Sequence, residues 1–202
     1  MMGQASFDLI VIGAGQAGPF LAAKLAHAGK KVALIEARQL GGTCVNRGCT
    51  PTKTLRKSAR VAYMARRAAE FGVDVGPVTV NFGVAMARMR KRITDARTGL
   101  EGWLGALPGL TIHYAHGQLA GRDGADFIVQ AGEHTLRAPQ VVLNTGTRSF
   151  MPPIPGLSTV PALDSEGLLA LDELPKKLVI IGGGYISLEM AQIFRRLGSE
   201  VV

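Results

Sequence analysis

The sequence predicts an α/β fold laid out twice on one βαβ plan, and three observations predict it. Phe7 to Ile12 is a short apolar run rich in β-branched residues, followed at once by Gly13-Ala14-Gly15-Gln16-Ala17-Gly18. Ala17 to Ala28 then has helical composition and stops at Gly29, and Lys31 to Ile35 is a second buried strand closed by Glu36. A shift of 169 residues carries Gly13 onto Gly182, Gly15 onto Gly184, Gly18 onto Ser187 and Gly29 onto Gly198, so the unit recurs.

Each part of the first unit has a physical reason. Gly13 permits the tight turn after the strand, Gly15 lets a backbone approach a pyrophosphate, and Gly18 lets helix and strand pack closely. A pyrophosphate would rest on the helix N-terminus, and Glu36 is placed to accept hydrogen bonds from a ribose. Pro19 falls in the first helical turn, where a missing N–H costs little.

Next comes Gly41-Gly-Thr-Cys-Val-Asn-Arg-Gly-Cys-Thr-Pro-Thr-Lys53, which holds Cys44 and Cys49, the two cysteines of the chain. Residues five apart in a regular helix have Cα atoms roughly 8–9 Å apart. A disulfide needs about 4.4–6.8 Å. A bond between them therefore requires a bent segment, and Gly48 and Pro51 supply the irregularity. Thr50-Pro51 reads as an N-cap followed by an N1 proline. That helix end favours anions, and Arg47 and Lys53 add positive charge beside it.

An amphipathic helix is expected to about Ala69, and a second from Val84 to roughly Leu107, weakened at Gly99, Gly102 and Gly105. Trp103 reads as packing under that second helix. Thr111 to Tyr114 is expected as a strand, Ala125–Gln130 and His134–Ala138 as a hairpin, and Val141–Leu143 as a short buried strand before Asn144-Thr145-Gly146-Thr147. Met151 to Gly156, with three prolines, is a stiff connector and a domain boundary. Beyond it, Lys177–Ile181, Gly182 to Ser187, Leu188–Leu197 and Gly198 repeat the βαβ design, with a strand starting at Val201.

Composition narrows the function classes. No apolar run reaches the ~18–20 residues of a membrane span, and the amino end lacks the basic start of a secretory signal. Two cysteines do not make a disulfide-stapled secreted scaffold, so a reducible pair in a cytoplasmic protein is expected. Net charge is +8, with many cations between Arg56 and Arg97. They alternate with Leu55, Ala59, Ala62, Met86, Met89 and Ile93 at helical spacing, which reads as solvated helix faces rather than a nucleic-acid surface. No metal-ligand set is read from the sequence.

The Gly41–Lys53 pattern, Gly-Gly-Thr-Cys-x-Asn-x-Gly-Cys-x-Pro-x-Lys, resembles the redox-active segment of the flavin-dependent pyridine nucleotide–disulfide oxidoreductases, nearest to the mercuric reductase and dihydrolipoamide dehydrogenase branches. The resemblance implies a Rossmann-like FAD-binding domain with a small β-meander over residues 1–150. Residues 151–202 would then hold a connector and the first βαβ half of a Rossmann-like NAD(P)-binding domain. It implies that Cys49 is the thiolate near the flavin and Cys44 the interchange thiol that attacks substrate. Lys53 corresponds to the lysine at the flavin N5 edge, and Glu189 to the acid paired with it.

By the same resemblance, FAD contacts fall at Gly13, Gly15, Gly18, Glu36, Ala37, Gly42, Thr43, Lys53, Gly117, Thr145 and Gly146. Contacts to NAD or NADP fall at Gly182, Gly184, Tyr185, Ile186 and Glu189, with Tyr185 as the lid of the nicotinamide pocket. The implied substrate is a small-molecule disulfide or a metal ion, and the implied assembly a homodimer. The family's later portion carries a His-x-x-x-x-Glu pair, and none of His27, His113, His116 or His134 has a Glu five residues on. Those histidines read as surface or loop residues, and the chain as the amino-terminal part of a longer protein. The equivalent of Glu36 in the second unit falls beyond Val202, so the sequence does not choose between NAD and NADP. The rival reading is a non-catalytic dinucleotide-binding module whose cysteines sense redox state.

Overall fold

A computed structural model describes residues 5–202. The chain forms two compact units. The first holds the segment up to Asn46 together with Asp95–Ser149, and the second holds Arg47–Thr94 with Phe150–Val202.

The first unit is organised by strands β2 (Leu9–Ile12) and β3 (Val32–Ile35), whose eight residues are all buried. Runs apolar on both faces suit a parallel sheet covered on both sides. The sheet has the order β4-β3-β2-β8, all parallel, with β4 at Leu110–His113 and β8 at Val141–Leu143. Alternation along the pleat sends successive side chains to opposite faces. Leu9, Val11, Val32 and Leu34 pack with Ala22 and Ala23 of helix α1 (Gly18–His27) and with Leu104. Ile10, Ile12, Ala33 and Ile35 pack instead with Phe7, Val129, Ala131, Leu136 and Ala138. Each buried Leu or Ile contributes about 1.5–3 kcal/mol relative to exposure.

The second layer is a meander of β5 (Gly117–Asp123), β6 (Asp126–Ala131) and β7 (His134–Ala138), with β1 (Ala5–Ser6) added in parallel along β7. Residue patterning leads to expect a two-stranded hairpin here, and the family resemblance a small meander. Strand β5 is the addition, and it was hidden because it contains Gly117 and Gly121, is mostly exposed, and bulges between Leu119 and Gly121. Without one buried face it carries no period-2 signal.

The second unit is helical. It contains α3 (Cys49–Arg66), the first part of α4 (Phe82–Gly105), α5 (Ser165–Leu169) and α6 (Tyr185–Leu197). Met190, Ile193, Phe194 and Leu197 form the i, i+3, i+4, i+7 stripe of α6 and are buried with Leu55, Ala59, Phe82, Met86 and Met89. Helix α4 is unbroken through Gly99 and Gly102, because its apolar positions pay for them on burial. Trp103 does not lie under that helix. It is 38% exposed on it, with its ring 5.5 Å from Phe20. Basic side chains of this unit meet local acceptors: Arg90 pairs with Asp172, Arg67 with Glu70, and Arg88 donates to the Thr54 carbonyl and Ser58 hydroxyl.

Strand β9 (Lys177–Leu178) pairs in parallel with β10 (Glu200–Val201), and the ladder runs on through Ile180 N–H to the Val202 carbonyl at 2.9 Å. Gly182 then has φ +101°, against +103° at Gly13, so the turn at the first glycine of the fingerprint recurs, while α6 begins two residues earlier in the repeat than α1. Among the described residues no helix is long and apolar enough to cross a membrane.

One histidine departs from the surface assignment. His113 lies half-buried in β4, its ring centroid 5.3 Å from that of His134 on β7, and its Nε2 is enclosed without a hydrogen-bond partner. Burial, then the charge on His134, hold its pKa below the ordinary value. The folded state therefore binds fewer protons than the unfolded chain, and stability is full above the unfolded histidine pKa near 6.5 and falls as pH drops through it. Denaturation midpoints should decrease between pH 7.5 and 5.5, and His113→Phe should flatten that decrease in urea titrations at both pH values.

Candidate functional site

In the first unit the site grows from the carboxyl ends of β2 and β3. Gly13 turns the chain at φ +103°, its N–H donating to the Ile35 carbonyl at 2.7 Å. A Cβ on Gly18 would lie 2.2 Å from the Gly13 carbonyl oxygen, so only glycine lets α1 start this close to the loop. Gly42 presses on the same loop, since a Cβ there would sit 2.7 Å from Gly15 Cα. Helix α1 has no carboxylate in its first turn and no side-chain cap, which leaves its leading N–H groups and dipole for an anion. A dinucleotide's pyrophosphate fits such a cradle.

Glu36 follows β3 as expected, and in this structure its carboxylate serves the loop. Its Oε2 accepts from Ala14 N–H and its Oε1 from Arg38 N–H, each at 2.8 Å. A carboxylate has about four acceptor positions, so capacity remains for ribose hydroxyls. Ala37 beside it is exposed. A Cβ on Gly117 would meet Ile12 Cγ2 at 2.8 Å, so this residue is glycine for packing as well as for any ligand. Gly146 turns after β8 at φ +68°, with Thr145 exposed before it.

Two asparagines had no assigned role. Asn144, at the end of β8, donates from Nδ2 to the Gly13 carbonyl at 3.0 Å and from its backbone N–H to the Ile12 carbonyl at 2.7 Å. Asn46 is buried and donates from Nδ2 to the carbonyls of Leu40 and Gly42, both at 2.9 Å, which pins the turn before the cysteines. A polar residue directly after an apolar strand, facing a glycine loop, was the available signal for Asn144. For Asn46 the signal was its place inside the Gly41–Lys53 pattern.

The cysteine segment is bent where the glycine stands. Helix α2 (Gly42–Arg47) ends, Gly48 caps, and α3 begins at Cys49. The N-cap is thus Gly48 and not Thr50, and Pro51 is the third helical residue, still inside the turn whose N–H groups lack partners. Cys44 lies half-buried in α2 beside exposed Thr43, and Cys49 is exposed at the start of α3. The division between the two compact units falls after Asn46, between the two cysteines.

In the second unit, Lys53 Nζ donates to Glu189 Oε1 at 2.6 Å, joining the helix that starts at Cys49 to the helix that follows the second glycine loop. Both partners are partly exposed, so the pair adds no more than about 1 kcal/mol to stability. An open cleft of about 420 Å³ adjoins it, lined by Arg56, Tyr185, Gln192 and Arg196 among others. Tyr185 is 82% exposed and stands at the first position of α6, with Gly184 as N-cap and Ile186 behind it. Nearer the cysteines, Arg47 donates to Glu166 of α5 at 3.3 Å. Among the described residues no group of three or more His, Cys, Asp or Glu is placed to hold a metal ion.

With this geometry in place the comparisons decide the family. Residues 7–202 match the pyridine nucleotide-disulphide oxidoreductase family. The chain belongs to it. The family relatives include a dihydrolipoyl dehydrogenase of Chlamydia trachomatis, 39% identical over 97% of this chain and 42% of its own length. A mercuric reductase of Shigella flexneri is 34% identical over 97% of this chain and 35% of its own. Among solved structures, the HOCl-induced flavoprotein disulfide reductase RclA from Escherichia coli superposes with a TM-score of 0.81 at 35% identity, over 96% of this chain and 41% of that one. The chain thus spans about two fifths of the length of the relatives it matches. The fold is that of the family's α/β flavoproteins, with a Rossmann-like first unit and the beginning of a second dinucleotide motif.

Proposed function

We propose that this chain is the leading part of a flavin-dependent oxidoreductase that moves electrons from NADH or NADPH to a disulfide formed by Cys44 and Cys49, and from there to a substrate. In this reading residues 1–150 form the FAD-binding domain, and residues 151–202 open the NAD(P)-binding domain. The observation that carries it is the Lys53–Glu189 pair. A βαβ repeat gives no reason for an acid at 189, whose counterpart in the first unit is Phe20. A helix beginning at a cysteine gives one, if its lysine must be held for work beside a flavin.

Bound FAD supplies a two-electron carrier between nicotinamide and sulfur. The residues of this chain do the rest. The Gly13–Gly18 loop and the α1 N-terminus hold the pyrophosphate, Glu36 with Ala37 the ribose, and Gly42, Thr43, Gly117, Thr145 and Gly146 line the flavin's path. Gly182, Gly184, Tyr185 and Ile186 receive the nicotinamide cofactor, with Tyr185 covering its pocket until it enters. Glu189 orients Lys53. Reduction opens the cysteine pair to two thiols, and Cys44 as thiolate then attacks a substrate disulfide, expelling one substrate thiol. Cys49 attacks the mixed disulfide, releases the second thiol and restores the pair, so two electrons and two protons leave with the substrate.

The substrate class is a small disulfide or a thiophilic metal ion. The relatives support both, since they include a dihydrolipoyl dehydrogenase, a mercuric reductase and a Cu(II) complex of RclA. We place the protein in the cytoplasm as a homodimer in its full length. Absorption spectroscopy on the full-length protein tests the reading. A yellow protein that gains a long-wavelength band on two-electron reduction, lost in Cys49→Ser, is the expected result. A colourless protein that takes up no FAD would make it a dinucleotide-binding or redox-sensing module instead.

A further inference from the structure

We infer that Asn144 is the positioning residue that holds the Gly13–Gly18 loop in its pyrophosphate-binding shape. The inference rests on the reading of that loop as the FAD site, and it concerns a residue outside the glycine fingerprint.

The geometry is a two-point clamp. Backbone N–H of Asn144 donates to the Ile12 carbonyl at 2.7 Å, continuing the β2–β8 ladder one residue past the strand. Its side-chain Nδ2 then donates to the Gly13 carbonyl at 3.0 Å. Because Gly13 offers only an oxygen at that point, the amide must present its NH2 and not its carbonyl. The same Nδ2 would lie 2.9 Å from a Cβ on Gly18 and 3.4 Å from one on Gly15. The amide thus occupies the space into which side chains at Gly15 and Gly18 would project, while it bonds to Gly13.

The clamp acts where the backbone is least determined. At φ +103° Gly13 sits in a region that glycine enters freely and leaves freely. An unclamped loop would divide its population among several shapes. Apparent affinity for a ligand falls in proportion to the fraction of protein in the competent shape.

The experiment compares FAD affinity of the wild-type protein, Asn144→Ala and Asn144→Asp by equilibrium titration at one salt concentration, with hydrogen exchange of the loop amides in the FAD-free proteins. Loss of one hydrogen bond weakens FAD binding by about tenfold in Asn144→Ala. Asn144→Asp, of equal size, is expected to be weaker still, because its oxygen faces the Gly13 carbonyl. Both variants should exchange faster at Gly13 to Ala17 than elsewhere. Wild-type affinity in Asn144→Asp beside a loss in Asn144→Ala would show that the side chain only fills space, and would overturn the inference. Equal affinity in all three proteins would do the same. If the wild type itself takes up no FAD, the functional reading fails, and unchanged loop exchange in the variants then remains the result that rejects the clamp.

Discussion

Gly13→Ala is expected to abolish flavin retention and to destabilise even the FAD-free protein. The added Cβ would lie 2.2 Å from the Asn144 carbonyl oxygen and 2.7 Å from its carbon, both backbone atoms of the residue that follows β8. At φ +103° the residue would also be strained wherever its neighbours moved. Strain of this kind costs about 1–3 kcal/mol and overpacking about as much again, so a loss of roughly 2–6 kcal/mol should appear in urea denaturation. Gly182→Ala, at φ +101° and with no described residue within 4 Å of its Cβ, is expected to show about 1–3 kcal/mol of strain in this 202-residue chain. Flavin retained at the wild-type level by Gly13→Ala would mean that the loop does not bind the pyrophosphate.

Cys49→Ser should lower turnover with NADH or NADPH and a disulfide substrate by at least about a thousandfold, the scale seen when an enzyme loses one member of a catalytic unit, because no thiol then resolves the mixed disulfide at Cys44. Stability should hardly change. Cys49 is exposed at the start of α3, and serine is of similar size and equally tolerated in a first turn. That separation makes the prediction sharp: activity goes while the urea midpoint stays. Steady-state rates beside a denaturation curve would check it. Turnover intact in Cys49→Ser would describe a flavoprotein without disulfide chemistry, and the electron path proposed here would end at the flavin.

Much of the first unit's fold could be read from the sequence. Strands β2 and β3 are apolar throughout, so their burial on both faces and their parallel pairing follow from composition. The break between the two cysteines falls at Gly48, the residue with the fewest backbone limits in that segment. The amphipathic stripes of α3 and α4 were legible because helical periodicity reports which side is covered, whereas α6 was read as a helix from the repeat. The pairing of Lys53 with Glu189, 136 residues apart, came from the resemblance and not from spacing. The N-cap at Gly48, the five-residue helix α5, strand β5 and the partnership of Arg47 with Glu166 went unread. A short helix or an exposed strand leaves little periodic signal, and a glycine cap provides no side chain to recognise.

The sequence by itself determined the plan of this protein: two glycine turns, each between an apolar strand and a helix, with a cysteine pair set after the first. These depend on local conformational limits and on the period of apolar residues, which every segment carries within itself. Tertiary structure alone decided that Asn144 meets Gly13, that Glu36 binds the backbone of Ala14, and that His113 lies against His134. Each joins residues more than twenty positions apart in sequence. Contacts at such separation are fixed by strand register and layer packing, and neither can be read from one segment.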